Sequence, residues 1–514
     1  RARAAAPAFA LTDENAADVA EICRRVDGIP LALELAAARV RMLSVEQIRS
    51  RLGDRFKLLA RSGAGVPARQ QTVLAVIQWS WDHLLPPEQE LLRRLAVFTG
   101  GWTLERATAV CSDEGDEFEM LDLLTRLVER SLVVVQHSED FETRYRFLES
   151  VWRFALDKLE GHLEQDMLRE RHFTTFHALA TQSETLLLGA EQARTLRRLA
   201  QDEENLLSAL AWSEHAEDGI QRGLQIVSAV QRHWTLTGRY LLARRVSDEA
   251  LARDRDRLPT AARSLALARA AGLALTLMDL PPARLLLEES LEIARKLGDL
   301  KAEARALAGL GVQALLEDRP QDALEVGRQS LAIYWKLGQK RGVAMALHNI
   351  ASLESMLASP DQGRGNFEEA LKLSREVADP VTESLVLAGL VSSLVRLGET
   401  ELAQGRIHEM AMRLAAVGAV RESVYALEST AEYLLATGRA AEAATALGAA
   451  EAARERSSIP MNFAEKKDHA RFLAAIEAAL GKEETARQLG SGALLELPEA
   501  VAAAAAASGP VQQR

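Results

Sequence analysis

The chain has 514 residues, enough for several domains, and its 48% apolar content leaves ample material for a buried core. Its 62 basic and 73 acidic residues give a formal net charge of −11, which argues against a general nucleic-acid or anionic-membrane surface. No apolar run reaches the roughly 18–20 residues of a membrane helix, no export signal is visible, and the two cysteines lack metal-ligand spacing, so we expect a cytoplasmic protein.

The first predicted helix covers residues 11–23, where Thr12 or Asp13 can act as the cap. A tight corner follows, in which Gly28 stops one helix and Pro30 starts the next at its first turn, where the missing N–H costs nothing. We interpret residues 1–62 as one helical segment around this corner. The chain begins at Arg1 rather than methionine, so we expect a fragment that lacks its N-terminal part.

Residues 63–160 have the pattern of a winged helix. Four helices are predicted near residues 71–84, 87–96, 103–111 and 118–130, followed by strands over 131–136 and 144–148 and a closing helix over 150–159. The two strands and their polar turn form a small β-hairpin.

A winged helix usually suggests DNA binding through a helix in the major groove. Here the fourth helix and its approach hold Glu117, Glu119, Asp122 and Glu129 against Arg126 and Arg130. Phosphates would repel such a helix, so we favour an internal packing module over direct DNA contact, which stays open as the alternative.

Residues 161–220 are predicted to be a helical linker, and residues 221–456 repeat with a period of 40 residues. Two registers show the period, and they read Val227, Leu267, Leu307, Leu347, Leu387, Leu427 and Ala243, Ala283, Ala323, Gly363, Ala403, Ala443. Such fixed self-similarity marks a repeat architecture, with two helices in each unit. One pair cannot bury its apolar stripe alone, so neighbours stack into an α-solenoid with a concave face.

The remaining residues, 457–514, are predicted to be a C-terminal helical cap and tail. The fold class is therefore mostly all-α: a winged-helix module with a small β-hairpin, followed by a solenoid of 40-residue helical repeats. The repeats resemble tetratricopeptide repeats, whose usual period is shorter, about 34 residues. Small residues at Ala271, Gly311, Ala351 and Ala431 fall where that family has them.

Three motifs carry a second resemblance. The run Gly28-Ile29-Pro30-Leu31-Ala32-Leu33 is similar to the proline corner of signal-transduction ATPases with numerous domains, the STAND class, which is NB-ARC-like. Phe98-Thr99-Gly100-Gly101-Trp102-Thr103-Leu104 resembles a signature of the bacterial members, and so does Glu203-Glu204-Asn205-Leu206 with Ala209-Leu210-Ala211-Trp212-Ser213. The resemblance covers residues 1–215 by motif and the rest by architecture.

The resemblance implies that residues 1–62 are the tail of a nucleotide-binding domain and that 63–160 form a clamp on it. Gly28 and Pro30 would lie on the adenine side of ATP or ADP in the full-length protein. One position departs from the pattern: many relatives carry Met-His-Asp in the closing strand, where this chain has Phe147, Leu148 and Glu149. Leucine cannot donate a hydrogen bond, so that phosphate sensor is absent or replaced. Arg146 is a candidate replacement, but we favour a surface position on the strand for it.

No catalytic machinery is recognisable in the sequence. A phosphate-binding loop needs G-x-x-x-x-G-K-[ST], and this pattern does not occur. We therefore expect no enzymatic activity, no metal site and no cofactor bound by this chain alone.

We interpret the chain as the sensor portion of a STAND-type transcription regulator. The concave face would bind a protein, peptide or small effector and release the clamp, with self-oligomerisation as a further possibility and the output domain N-terminal to Arg1. Two alternatives remain: a stand-alone tetratricopeptide-like interaction scaffold, and a regulator that binds DNA through the winged helix.

Overall fold

The structure, a computed structural model, describes residues 2–6, 9–25, 33, 36–50, 68–137 and 142–509. It divides into two compact units. The first contains Arg1–Ala178 and Gln201–Trp212, and the second contains Leu179–Ala200 and Ser213–Arg514.

The N-terminal part of the first unit is helical where it is described. Helices α1 (Ala2–Ala5) and α2 (Asp13–Arg25) precede helical residues 36–38, a 3-10 turn at Arg39–Arg41, and helical residues 45–50. Thr12 donates its backbone N–H to the Asn15 side chain, 3.0 Å away, at the start of α2. The predicted corner at Gly28 and Pro30 lies outside the described residues.

In its described residues, the winged helix has five α-helices and a three-stranded sheet. The helices are α3 (Ala68–Trp81), α4 (Pro86–Arg94), α5 (Leu104–Cys111), α6 (Glu117–Glu129) and α7 (Glu149–Leu159). The strands are β1 (Trp102–Thr103), β2 (Val134–Gln136) and β3 (Arg144–Arg146). They run antiparallel in the order β1-β3-β2, with Tyr145 opposite both Trp102 and Val135.

Strand β1 was not anticipated, and it depends on a glycine. Gly101 has a φ of +81°, and a Cβ added there would lie 2.7 Å from the Tyr145 carbonyl oxygen. Glycine therefore allows the left-handed turn and the close approach that bring Trp102 beside β3. The Trp102 side chain is buried and packs edge-on against Phe147, with ring centroids 4.9 Å apart.

Three helices follow the winged helix, and they are α8 (Gln165–Leu186), α9 (Gln192–Gln201) and α10 (Glu203–Trp212). The boundary between the two units crosses α8, because Ala178 closes one segment of the first unit and Leu179 opens the second. Helix α10 belongs to the first unit.

Six helical hairpins form the repeat array in the second unit. Their helices are α11 (Gly219–Leu236) with α12 (Tyr240–Arg253), α13 (Ala261–Thr276) with α14 (Leu280–Leu297), α15 (Leu300–Leu316) with α16 (Pro320–Lys336), α17 (Lys340–Leu357) with α18 (Pro360–Glu376), α19 (Pro380–Arg396) with α20 (Thr400–Val417), and α21 (Val420–Ala436) with α22 (Ala440–Ser457). The predicted all-helical repeats and their pairing are confirmed.

Every member of the two principal registers is buried, which explains why the period is strict. The leucine register lies in the first helix of each hairpin, and Leu347 is 6% exposed. The alanine register lies in the second helix, where the small side chain permits close packing. Ser290 and Ser330 extend this close packing by bonding to the preceding helix, and the Ser330 hydroxyl donates to the Ala304 carbonyl at 2.7 Å.

The array curves until its first hairpin meets its fifth and sixth. Arg232 in α11 donates to the carboxylate of Asp379, the N-cap of α19, at 3.5 Å. A Cβ added at Gly238, just after α11, would lie 2.7 Å from the Ser457 hydroxyl and 3.1 Å from a Val420 methyl. We call this contact between the first hairpin and the fifth and sixth hairpins the seam. The solenoid therefore encloses a lumen instead of remaining an open arc.

Three further helices complete the chain, namely α23 (Phe463–Leu480), α24 (Lys482–Ala493) and α25 (Leu497–Ala507). Helix α24 lies directly on α22, where a Cβ at Gly492 would be only 1.9 Å from the Thr445 carbonyl oxygen. Of the helices in the described ranges, none combines the length and apolar character required to cross a bilayer.

Candidate functional site

The segment that follows the predicted nucleotide corner packs against the winged helix. Arg39 is buried, with its guanidinium 5.3 Å from the ring centroid of Trp79. Burial and then the charge of Arg130 lower the pKa of Arg39 to about 10. Arg41 forms an ion pair with Glu129 of α6 at 3.5 Å. The C-terminal end of α6 is therefore occupied by an intramolecular contact.

The three residues that replace the Met-His-Asp pattern are structural. Phe147 is buried against Trp102, Leu148 caps α7 without a side-chain hydrogen bond, and Glu149 is the exposed first residue of that helix. Arg146 is exposed on β3, as the sequence predicted. None of these three side chains supplies a buried polar group suited to a phosphate.

The outer face of α6 is acidic and partly apolar. Its exposed residues are Glu117, Phe118, Glu119, Leu121, Asp122, Thr125, Arg126 and Glu129. Four carboxylates face solvent with one arginine, and Phe118 is 85% exposed. Such a face suits contact with protein better than contact with a phosphate backbone.

Two of the resemblance motifs meet in a buried polar cluster within the first unit. The Asp202 carboxylate accepts hydrogen bonds from Arg106 and, at 2.9 Å, from Arg144. The neighbouring Asn205 side chain accepts from the Thr99 N–H at 3.0 Å and donates to the Gly101 carbonyl at 2.8 Å. Helix α10 is thereby fixed to the loop before β1. The sequence alone did not predict that these two motifs lie together.

His172 completes this cluster on the side of the aromatic core. Its Nε2 lies 3.3 Å from the Asn205 amide oxygen, and its ring packs against Phe98 and Phe176. Burial lowers the pKa of His172 to about 4, so the ring is neutral at physiological pH and donates to Asn205.

The lumen of the array contains a cavity with two compartments. Its main compartment has a volume of about 640 Å³, within the range of small-molecule pockets. The first helices of the hairpins and α23 form most of its wall. Apolar members of this wall include Leu275, Val312, Leu316, Met345, Leu385 and Phe472.

Small residues keep the main compartment open. Gly272, Gly311 and Ala346 line it, and a Cβ added at Gly272 would meet nothing within 4 Å. The acidic residues Glu428 and Glu432 also line it, but Arg454 and Arg396 neutralise them at 2.9 and 3.1 Å. Glu465 and Asp468 line it as well, and they pair with the same two arginines at 3.4 and 3.6 Å. His348 is a further polar lining residue, and burial lowers its pKa to about 4 while its Nδ1 has no hydrogen-bond partner in the structure.

A second compartment, of about 230 Å³, adjoins the first, and the two share Gly272, Thr276, Met345, Leu385 and Arg421 as lining residues. Its wall also contains Arg232, Arg269 and Arg341. We call these three residues and Arg421 the arginine patch. The 40-residue period predicted a concave binding face but gave no indication of this patch.

Three carboxylates contact the arginine patch. Asp379 binds Arg341 at 2.7 Å and Arg232 at 3.5 Å, Glu184 binds Arg269, and Glu422 binds Arg421 at 3.1 Å. Asp379 also accepts hydrogen bonds from the backbone and hydroxyl of Thr382. Burial opposes the ionised form of Asp379, but Arg232 and Arg341 outweigh it and lower the pKa of that carboxyl.

In the described ranges, no group of three or more histidine, cysteine, aspartate or glutamate side chains is arranged to hold a metal ion. Cys111 is buried, and burial raises the pKa of its thiol well above the usual value.

Comparison with known proteins identifies the winged helix and a set of mycobacterial relatives. A winged helix-turn-helix domain family matches residues 84–160. Candidate HTH-type transcriptional regulators of Mycobacterium bovis and Mycobacterium tuberculosis are 41% identical over 326 residues, which cover 60% of this chain and 36% of each relative. An uncharacterized Mycobacterium tuberculosis protein is 42% identical over 174 residues, 34% of this chain and 44% of that protein. The chain thus spans about a third of the regulators it matches.

Among solved structures, the chain is similar to a STAND protein with a tetratricopeptide repeat sensor from Pyrococcus horikoshii. The TM-score is 0.44 at 16% identity, covering 90% of this chain and 72% of that one. A Rap protein complexed with competence and sporulation factor has a TM-score of 0.39 at 15% identity, covering 63% of this chain and 94% of that one. Because both TM-scores are below 0.5, the description of the fold is based only on the helices of this chain.

Proposed function

We propose that this chain is the effector-binding portion of a transcription regulator of the STAND type. The tetratricopeptide-like array would bind the effector in its lumen, and the winged helix would gate a nucleotide-binding domain that holds ATP or ADP. The names of the mycobacterial relatives support the regulatory role, and the motifs around Gly28 and Pro30 support the nucleotide domain.

The observation that carries the proposal is the lumen itself. A solenoid whose purpose is only to connect two domains has no need for a 640 Å³ cavity lined by residues from five of its hairpins. Cavities of this size, mostly apolar with a few placed polar groups, are typical of small-molecule sites.

The winged helix is proposed to act within the protein. Its helix α6 presents carboxylates and Phe118 to solvent, and Glu129 contacts Arg41 in the segment next to the predicted nucleotide corner. Through this contact, the winged helix would hold the nucleotide-binding domain in one position and release it in another. The effector would shift the balance between these two states.

The decisive experiment blocks the lumen without disturbing the helices. Gly272 lies in α13 and lines both compartments, and its added Cβ has free space, so Gly272→Phe should fill the cavity while the array stays folded. Gly405, in α20, is exposed and has equally free space, so Gly405→Phe is the matched control.

We expect small molecules from a thermal-shift library to raise the melting temperature of the wild-type chain and of Gly405→Phe, but not of Gly272→Phe. In the full-length regulator, Gly272→Phe should make promoter output independent of the effector. If every partner of the chain binds Gly272→Phe as well as the wild type, the array is a scaffold that binds on its outer surface.

A further inference from the structure

Three members of the arginine patch belong to a regular series. Arg232, Arg269, Arg305 and Arg341 are spaced 37, 36 and 36 residues apart, whereas the hairpins repeat every 40 residues. Each arginine therefore sits about one helical turn closer to the N-terminus of its helix than the arginine before it. Residues three or four apart share a helix face, so the series projects from equivalent faces of four successive first helices. Three of its members, Arg232, Arg269 and Arg341, line the smaller compartment, and Arg341 contacts Asp379 at the seam.

This series carries more positive charge than its neighbours neutralise. With Arg421 it comprises five arginines, and three carboxylates contact them: Asp379, Glu184 and Glu422. Arg305 has no hydrogen bond or ion pair with any residue in the described ranges, although its charge acts on Arg269. Among the described residues, these five arginines therefore outnumber the carboxylates that contact them by two.

The electrostatics of the individual side chains agree with this excess. Burial and then the charge of Arg341 lower the pKa of Arg232 to about 9, and Asp379 and Glu422 only partly oppose this. Burial also lowers the pKa of Arg269 to about 10, with Arg305 and Arg341 adding repulsion. Its Nε has no hydrogen-bond partner in the structure. An arginine in such a site gains from a further anion.

The compartment beside the patch offers a mainly apolar wall, and the carboxylates in that wall are paired with arginines. Leu275, Val312, Leu316 and Phe472 line it, and the shared residues Met345 and Leu385 join it to the patch. A ligand that fills both compartments must therefore be charged at one end and apolar along its body.

We propose that the lumen binds a small organic acid, with its anionic group on Arg232, Arg269 and Arg341 and its apolar body in the larger compartment. This inference rests on the proposed function, because it names the chemical class of the effector. Two sources offer the same chemistry, namely an acyl chain with a carboxylate and a short apolar peptide with a free C-terminus.

Pairs of probes that differ only in charge separate the contribution of the anionic group to binding from that of the apolar body. Isothermal titration of the full chain would compare decanoate with decanamide, and N-acetyl-trileucine with its C-terminal amide. We expect at least one acid to bind about tenfold or more tightly than its amide, with the preference weakening at high salt. Preference within the first pair indicates an acyl acid, and preference within the second indicates a peptide carboxylate.

Arginine variants locate the acid group. Arg269→Gln should reduce the affinity of the preferred acid about tenfold or more and leave the amide unchanged. Arg305→Gln should have a smaller effect in the same direction. Because Arg305 has no ion pair within the described ranges, this variant should fold normally, so a loss of affinity would not result from misfolding. Arg245→Gln is the control, since Arg245 is 68% exposed on α12.

Equal binding of acid and amide by the wild-type chain, lost in Gly272→Phe, would overturn the anion site and keep the lumen as the effector site. Binding of the acids that persists in both Gly272→Phe and Arg269→Gln would place them outside the lumen and overturn this inference. If no probe binds while other molecules still stabilise the wild type but not Gly272→Phe, organic acids are the wrong class and the proposed function stands.

Discussion

At the residue scale, the first unit depends on a histidine that must stay neutral. His172 lies among Phe98, Phe176 and Asn205, and its pKa of about 4 is below the ordinary value near 6.5. Between these two pH values the unfolded chain binds a proton that the folded chain does not. Stability is therefore complete above about pH 6.5 and falls as the pH is lowered towards 4.

We predict that His172→Gln removes this pH dependence. The wild type should lose up to about 3 kcal/mol from this residue between pH 6.5 and 4, and the variant should lose less over the same range. Urea unfolding at a series of pH values, followed by a signal from the first unit such as tryptophan fluorescence, measures the slope. His137→Gln is the control because His137 is exposed. An unchanged slope in His172→Gln would show that His172 is not the group responsible.

Single residues also mark the limit of prediction from sequence. The 40-residue registers are visible because the same packing recurs, so the buried positions, including Leu347, could be assigned. The Asp202 cluster could not, because its partners Arg106 and Arg144 lie 96 and 58 residues away and nothing repeats. The arginine series is also present in the sequence, as a spacing of 36 or 37 residues. It is easily missed, because this spacing differs from the 40-residue period of the hairpins.

At the scale of elements, helix α6 lies where a winged helix can carry its DNA-binding helix, but its exposed face is acidic. It begins at the Asp116 cap, carries acidic residues in its first turn, and ends in the contact between Glu129 and Arg41. The sequence predicted this helix to within a residue at either end. It did not predict β1, because a two-residue strand has no periodicity and depends on the conformation of Gly101.

We predict that the chain does not bind duplex DNA through α6. Fluorescence anisotropy with a random duplex at 100 mM salt should show no binding at nanomolar concentrations, because carboxylates on this face repel phosphates. A variant with lysine at Glu117, Glu119 and Asp122 serves as the positive control and should gain salt-sensitive binding. Nanomolar binding by the wild type that disappears in Arg126→Ala would contradict the prediction.

At the scale of the whole molecule, the seam changes how the array distributes its stability. In an open solenoid each hairpin contacts only its neighbours, and the two ends fray. Here Asp379 joins Arg232 of the first hairpin to Arg341 of the fourth while it caps the fifth. Loss of the contacts at the seam should therefore destabilise hairpins that are distant in sequence.

We predict that Asp379→Asn destabilises the array by about 1–3 kcal/mol at pH 7, because Arg232 and Arg341 lose their shared counter-charge in a buried site. The lowered pKa of Asp379 means that its contribution is present above about pH 4 and is lost as the pH falls further, so the difference should shrink in acid. Hydrogen exchange should quicken in α11 as well as in α19. Asp361→Asn, at an exposed position in α18, is the control. Faster exchange confined to α19 would show that the seam adds no stability.

The seam also has a consequence during protein synthesis. Neighbouring hairpins can stack as soon as they leave the ribosome, but Arg232 must wait for Asp379, 147 residues later in the chain. At bacterial and eukaryotic elongation rates this delay is roughly 7–30 s. Throughout that interval the inner wall of the nascent array is open to the surrounding solution, and a molecule already resting on it would be enclosed when translation brings the fifth hairpin into place.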